Sequence, residues 1–256
     1  MSKFSKKPIL VEKKYLIPFI AITSMFFLWG VANDVTNPMV SAFKKVMPEL
    51  SNFQAALVQL AFYGGYGTMA IPAALFIRKY NYKSGILIGL LLYAIGAILF
   101  WPAAVYEQFT FFLMSLYILT FGLAFLETTA NPFILSLGDS RTATQRLNLS
   151  QAFNPIGSLM GMAIAQLIII ENLRSDDYSP DAYSALSPDQ IAFIRQEDLN
   201  IISEVYVGLG ILIFAVMFVI FFIKIPGKDE KSKLSVKENI NILRRNKRYY
   251  EGVIAQ

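Results

Sequence analysis

Six apolar stretches dominate this sequence, near 15–42, 53–77, 84–105, 109–137, 147–170 and 201–223. A helix needs about 20 residues to cross a hydrocarbon layer about 30 Å thick, and each stretch is long enough. Only 16% of residues are charged, against roughly 25% in soluble domains, and the mean hydropathy is +0.49. The implied fold class is all-α: a polytopic membrane protein with a six-transmembrane-helix bundle over 15–223, immersed in a lipid bilayer. The first stretch is too long for the core of a signal peptide and is read as a retained span.

The net charge of +5 reflects topology rather than nucleic-acid binding. Basic residues fill the N-terminal tail 1–14 (Lys3, Lys6, Lys7, Lys13, Lys14), the links 78–83 and 138–146, and the sequence from 224 onward. With alternating spans these segments share one side, and the other side keeps only Lys44, Lys45, Arg174 and Arg195. The positive-inside asymmetry then puts both ends in the cytoplasm. Arg146, which opens span five, is placed to snorkel to that interface or to pair with loop groups.

The sequence has no cysteine and no histidine, so thiolate chemistry, Cys or His metal sites and the usual proton shuttle are absent. No metal and no cofactor is implied, nothing suggests an enzyme, and any proton chemistry falls to carboxylates. Span four reads LAFLETTANPFI and span one WGVANDVTNPMV. Each has an acid, Glu127 or Asp34, just before an Asn-Pro pair, Asn131-Pro132 or Asn37-Pro38. An ionised, unpaired carboxylate in such surroundings costs several kcal/mol, so it is expected to face a bundle interior or a water-filled path. Glu127 and Asn131 share a helix face, as do Asp34 and Asn37. Pro38 and Pro132 are helix-breaking residues that free the carbonyls of Asp34 and Thr128. Spans one and four open two three-helix sets, so the chain reads as a 3+3 inverted repeat, the internal symmetry of a transporter half.

Uncharged partners flank these acids. Gln59 lies in span two, and span five supplies Asn148, Gln151 and Asn154 across an arc of about 120°. Amides both donate and accept, which suits a neutral polyhydroxylated ligand better than a lipid. Trp29, Phe62, Tyr63 and Phe153 offer rings for stacking on a sugar or for helix packing. In the outer link 171–200, Ser187-Pro188-Asp189-Gln190 fits a capping box and predicts a short surface helix over 188–198, within a solvated loop or a lid. Beyond the bundle, 224–248 reads as a cytoplasmic linker and 249–256 as the start of a seventh span, so that a C-terminal six-span half is missing.

The stretches FFLWGVAND, NFQAALVQLAFYGGY, IPAALFIRKYNYKSGI, LLYAIGAILFWPAA, FLETTANPF and RLNLSQAFN resemble the fucose permease group of major-facilitator sugar:proton symporters, from about residue 15 to 256. That resemblance implies twelve spans in two six-helix halves, this chain being the N-terminal half, and a home in the bacterial inner membrane. It implies proton-coupled uptake of a hexose, L-fucose foremost, with Glu127 as the coupling acid and Asn131, Asn148, Gln151 and Asn154 on the sugar-facing surface. Some members carry the span-one acid at the position of Asn37, where this sequence has Asp34 one turn earlier. Asp34 is therefore the expected second coupling residue, and Asn37 and Gln59 are expected substrate contacts. Three other functions fit the residues: a proton- or sodium-coupled carrier of galactose or glucose, an exporter of hydrophobic compounds, and a non-transporting scaffold.

Overall fold

The computed structural model describes residues 9–223, together with the isolated positions 238, 242, 245–248 and 251. Most of the expected linker and all of the seventh-span start but Glu251 lie outside the described residues, as does the beginning of the N-terminal tail. Met1–Pro226 and Gly227–Gln256 form separate compact units, and the first holds six helical stretches long and apolar enough to cross a membrane.

Span one comprises α1 (Leu16–Thr36) and α2 (Met39–Val46), and span two is α3 (Asn52–Lys79). Span three joins α4 (Tyr82–Ile98) to α5 (Phe100–Val105), and span four is α6 (Phe109–Ser136). Span five joins α7 (Ala143–Gln151) to α8 (Phe153–Ile164) and a π-helical turn, Ala165–Ile169. The outer link carries the one-turn α9 (Pro180–Ser184), and α10 (Pro188–Phe222) is span six.

Prolines explain the breaks. Each removes the backbone donor owed to the carbonyl four residues back. Pro38 stands between α1 and α2, Pro102 follows the α4–α5 break, and Pro155 follows the α7–α8 break. Pro132, expected to break span four, does not: α6 runs through it. A spanning helix tolerates proline when hydroxyls and neighbouring helices satisfy the local backbone. Here Thr128, Thr129 and Asn131 donate to the carbonyls of Ala124, Phe125 and Glu127 in the turns before Pro132, while the carbonyl that Pro132 itself frees is that of Thr128. A second correction concerns 188–198. Its capping box is present, with Ser187 N donating to Gln190 Oε1 at 3.0 Å, but the helix does not stop at 198. It continues into span six as α10, because no glycine or proline interrupts the run through Asp198, Leu199 and Asn200.

Hydrocarbon offers no hydrophobic drive between helices, so close backbone approach must hold them. Span one lies along span five, and span two along span four. This pairing maps onto itself when the first three spans exchange with the last three. Small residues form both inner seams. Gly157 and Gly161 of α8 meet the carbonyls of Phe27 and Val31, and Gly65 of α3 meets Thr120 of α6. Near the end of α1, Thr36 Oγ1 and Tyr206 Oη are 3.0 Å apart, and Tyr206 stacks on Phe100 with centroids 3.7 Å apart. These contacts bind spans one, three and six.

The α6–α7 connection turns at Gly138, whose φ of +91° suits glycine. Next to it, Arg141 Nη2 and Asp139 Oδ2 are 2.6 Å apart. The Arg141 side chain, then its amide, hold the Asp139 carboxyl down at about 2.

Two predictions follow from these contacts. A Cβ at Gly157 would overlap the Phe27 carbonyl, whereas one at Gly208 meets open space. Gly157→Val should therefore destabilise the fold by about 1–3 kcal/mol and lower its thermal midpoint, while Gly208→Ala should not. A depressed carboxylate pKa stabilises the folded loop above the ordinary value near ~3.9, and that contribution is lost as pH falls through about 2. Amide exchange around 138–142 should accelerate in acid more in the wild type than in Asp139→Asn.

Candidate functional site

Four spans supply the side chains of one polar hollow of about 520 Å3. Phe26, Trp29 and Asn33 come from α1, Tyr63 and Tyr66 from α3, and Glu127 and Asn131 from α6. Gln151 ends α7, while Asn154 and Pro155 come from α8. The size falls within the roughly 300–1,000 Å3 range of small-molecule sites.

Helix geometry explains the set. Positions 26, 29 and 33 share one face of α1, 63 and 66 one face of α3, and 127 and 131 one face of α6. Span five breaks at Ala152, just before Pro155, so Gln151 and Asn154 flank the break and both reach the hollow.

Hydrogen bonds fix most of the lining. Trp29 Nε1 donates to Tyr66 Oη at 2.7 Å. Asn131 Nδ2 donates to the Glu127 carbonyl, and Asn131 Oδ1 accepts from Gln151 Nε2, each at 3.2 Å. Asn154 Nδ2 donates to the carbonyl of Phe26 at 3.2 Å. The Glu127 carboxylate differs: among the described residues it has neither a hydrogen-bond donor nor a basic partner. An acid without a partner, beside amides and an indole, can exchange a proton with whatever fills the hollow.

Of the residues expected from sequence, the structure brings Glu127, Asn131, Gln151 and Asn154 together. Trp29 and Tyr63 join them, whereas Phe62 is buried in the core at 2% exposure and Phe153 is not part of the lining. Asp34 and Asn37 stay outside and bond each other, with Asn37 Nδ2 donating to Asp34 Oδ1 at 2.7 Å. Gln59 and Asn148 also fall outside the lining; each sits about one turn beyond a lining residue, Tyr63 and Gln151.

Sequence reasoning passed over Asn33 and Tyr66. Successive helical residues point about 100° apart, so the face that carries Trp29 inward takes Asn33 with it and turns Asp34 away. The one-turn spacing from Trp29 to Asn33 and from Tyr63 to Tyr66 was the available signal. Of the two roles expected of it, Arg146 takes pairing with loop groups rather than snorkelling. It is fully buried, and its guanidinium binds loop and helix-end carbonyls.

The fold and this hollow define a polytopic helical membrane protein with a small-molecule-sized site between its spans. The chain matches the Major Facilitator Superfamily over residues 16–255, and it belongs to that superfamily. This places it among multi-pass membrane transporters rather than enzymes. The L-fucose-proton symporter of Haemophilus influenzae is 55% identical over 251 residues, covering 96% of this chain and 58% of that protein. The L-fucose-proton symporter of Escherichia coli is 36% identical over 250 residues, covering 96% and 56%. A glucose/galactose transporter of Brucella abortus is 35% identical over 159 residues, covering 62% and 38%. The crystal structure of the E. coli fucose:proton symporter, FucP, superposes with a TM-score of 0.82 at 35% identity, covering 95% of this chain and 59% of that one. A structure of FucP in the outward conformation gives 0.78 at 36% identity, covering 92% and 57%. The chain thus spans less than two thirds of the length of these relatives.

The placement of the two neighbouring polar residues of α1 is testable in the complete transporter by equilibrium binding of the hexose proposed below as its ligand. Asn33→Ala should weaken binding by about 1 kcal/mol, roughly fivefold, the value of one hydrogen bond. Asp34→Asn should stay within about twofold, and the reverse ranking would return Asp34 to the site.

Proposed function

We propose that this chain is the N-terminal half of a proton-coupled hexose symporter, with L-fucose as the leading substrate. The observation that carries the reading is the unpartnered Glu127 carboxylate opening on a hollow lined by four amides and ringed by Trp29, Tyr63 and Tyr66. Amides match sugar hydroxyls as donors and acceptors, and the aromatic faces suit the C–H faces of a pyranose. The names of the two fucose symporter relatives support the same substrate.

In this mechanism Glu127 takes a proton when the hollow faces outward. The neutral acid removes the desolvation cost of a carboxylate and donates to the arriving sugar. Asn33, Asn131, Gln151 and Asn154 orient the ring, and a second six-span half closes the other wall. The two halves rock about the bound sugar, as in alternating access around a midplane site. Sugar and proton then leave to the cytoplasm.

Charge placement supports an orientation in the bacterial inner membrane with both ends of the bundle cytoplasmic. At the proposed outer end three of the four basic side chains pair with acids, Lys45 with Asp176, Arg174 with Glu197 and Arg195 with Glu49, while Lys44 donates to Asn52. At the proposed inner end Lys83 and Arg146 bind backbone carbonyls, while Lys14 and Arg141 pair with Glu12 and Asp139.

A carrier of glucose or galactose on the same fold is the second reading, favoured by the Brucella relative. Competition between labelled hexoses in proteoliposomes of the complete transporter decides the sugar, and replacing sodium with choline decides the coupling ion. Glu127→Gln should abolish accumulation driven by an imposed pH gradient, by about two orders of magnitude for loss of the proton-transfer group, while sugar exchange persists. Undiminished accumulation in that variant would remove Glu127 from coupling.

A further inference from the structure

Among the described residues, Arg146 is a buried cation with no carboxylate bonded to it. Its Nε donates to the carbonyl of Ile134 at 3.2 Å and its Nη2 to that of Leu135 at 3.0 Å. Its Nη1 reaches Thr142 Oγ1 at 2.7 Å and the carbonyls of Asp139 and Leu10 at 3.0 and 3.2 Å. The neighbouring acid, Asp139, is engaged by Arg141 instead. Ile134 and Leu135 belong to the last turn of α6, where carbonyls lack the donor four residues on and the helix dipole favours a cation. The Ile134 carbonyl also accepts from the cap amide of Leu137 at 3.2 Å. Backbone therefore compensates the charge, and one planar fork ties three parts of the chain together. These are the end of α6, the loop that follows it, and the segment before span one.

Arg146 itself sits on α7. About one turn before Ile134 along α6 lies Asn131, and little more than one turn after Arg146 along α7 lies Gln151. Those two amides hydrogen-bond each other in the hollow. We propose that Arg146 is a positioning residue for the sugar site: by fastening α7 to the end of α6 it sets the Asn131–Gln151 register. This rests on the hexose-site reading above. Arg146 does not line the hollow and acts only through the two helices. Lysine keeps the charge but offers a single point instead of a fork, so it cannot bridge the same set of carbonyls.

Sugar binding and pH-driven uptake in the full-length transporter test this. Arg146→Lys should raise the half-saturating hexose concentration about tenfold, the scale of coupling between groups in one network, and leave the proton-to-sugar ratio unchanged. In a Gln151→Ala background the same change should add little. A folded Arg146→Lys protein with wild-type half-saturation, or two additive effects, would overturn the proposal. Should Arg146→Lys fail to fold, Thr142→Val removes the shortest contact alone. A rise of about twofold, the low end of such coupling, supports the clamp, and no rise rejects it. A substrate-independent readout separates this from the sugar reading. The chain has no cysteine of its own, and Leu135 and Leu149 are exposed, so Leu135→Cys and Leu149→Cys accept spin labels. Their distance distribution should broaden in Arg146→Lys. An unchanged distribution overturns the clamp whatever the substrate, whereas a wild-type protein that binds no hexose defeats the function alone.

Discussion

Backbone amides and carbonyls cannot be left to solvent inside a bilayer, and this bundle is organised around that constraint. Each helix end and each proline leaves carbonyls that something else must satisfy. Two basic side chains do this at one end of the bundle. Lys83, at the start of α4, donates to the carbonyls of Phe221 and Ile223 at 2.7 and 2.9 Å, closing the end of α10. Arg146, at the start of span five, closes the end of α6. Both are residues that the positive-inside rule counts only as charge. Their hydrogen bonds show that the same cations cap spans four and six.

The same constraint shapes the hollow. Pro155 removes a donor within span five, the helix breaks beside it, and Gln151 and Asn154 project on either side. Pro132 leaves α6 continuous. Its neighbour Asn131 reaches back to the Glu127 carbonyl, so one amide both steadies the backbone and holds Gln151. Glycines then let span five approach span one closely. A bulkier seam would move Trp29 and Asn154 apart and open the hollow to a different shape. Helix packing and ligand geometry are therefore set by the same residues.

Hydropathy made all six spans legible, because length and apolarity are properties of a segment and need no partner. The acid-and-amide cluster of span four was legible for a related reason: Glu127 is too costly in hydrocarbon to be incidental. Rotation was harder to read. Asp34 carried the charge and drew the inference, yet its neighbour Asn33 faces inward, a difference of one residue that only the packing of α1 decides. For Arg146 the sequence left snorkelling and pairing with loop groups both open, because its acceptors include main-chain carbonyls from α6, the loop and the segment before α1, and carbonyls have no signature in sequence. The surface helix at 188 was recognised by its cap, while its merger with span six depended on the absence of a stop signal between them.

Under the proposed function, two ionisable groups within spans four and five divide the work between them by their surroundings. Arg146 keeps its charge at any accessible pH and is enclosed by carbonyls on several sides, so its state and position are fixed. Glu127 has no such enclosure among the described residues and opens on a space of about 520 Å3. A carrier that couples a proton to a solute needs both kinds: one group whose charge can change with its contents, and a frame whose charges do not respond when it does. If Glu127 were paired to a fixed cation, protonation would break a buried pair, which is strongly unfavourable, and the acid would stay ionised throughout the cycle. Leaving Glu127 among neutral amides, and placing the nearest buried guanidinium on backbone instead of on a carboxylate, keeps the frame intact in either protonation state.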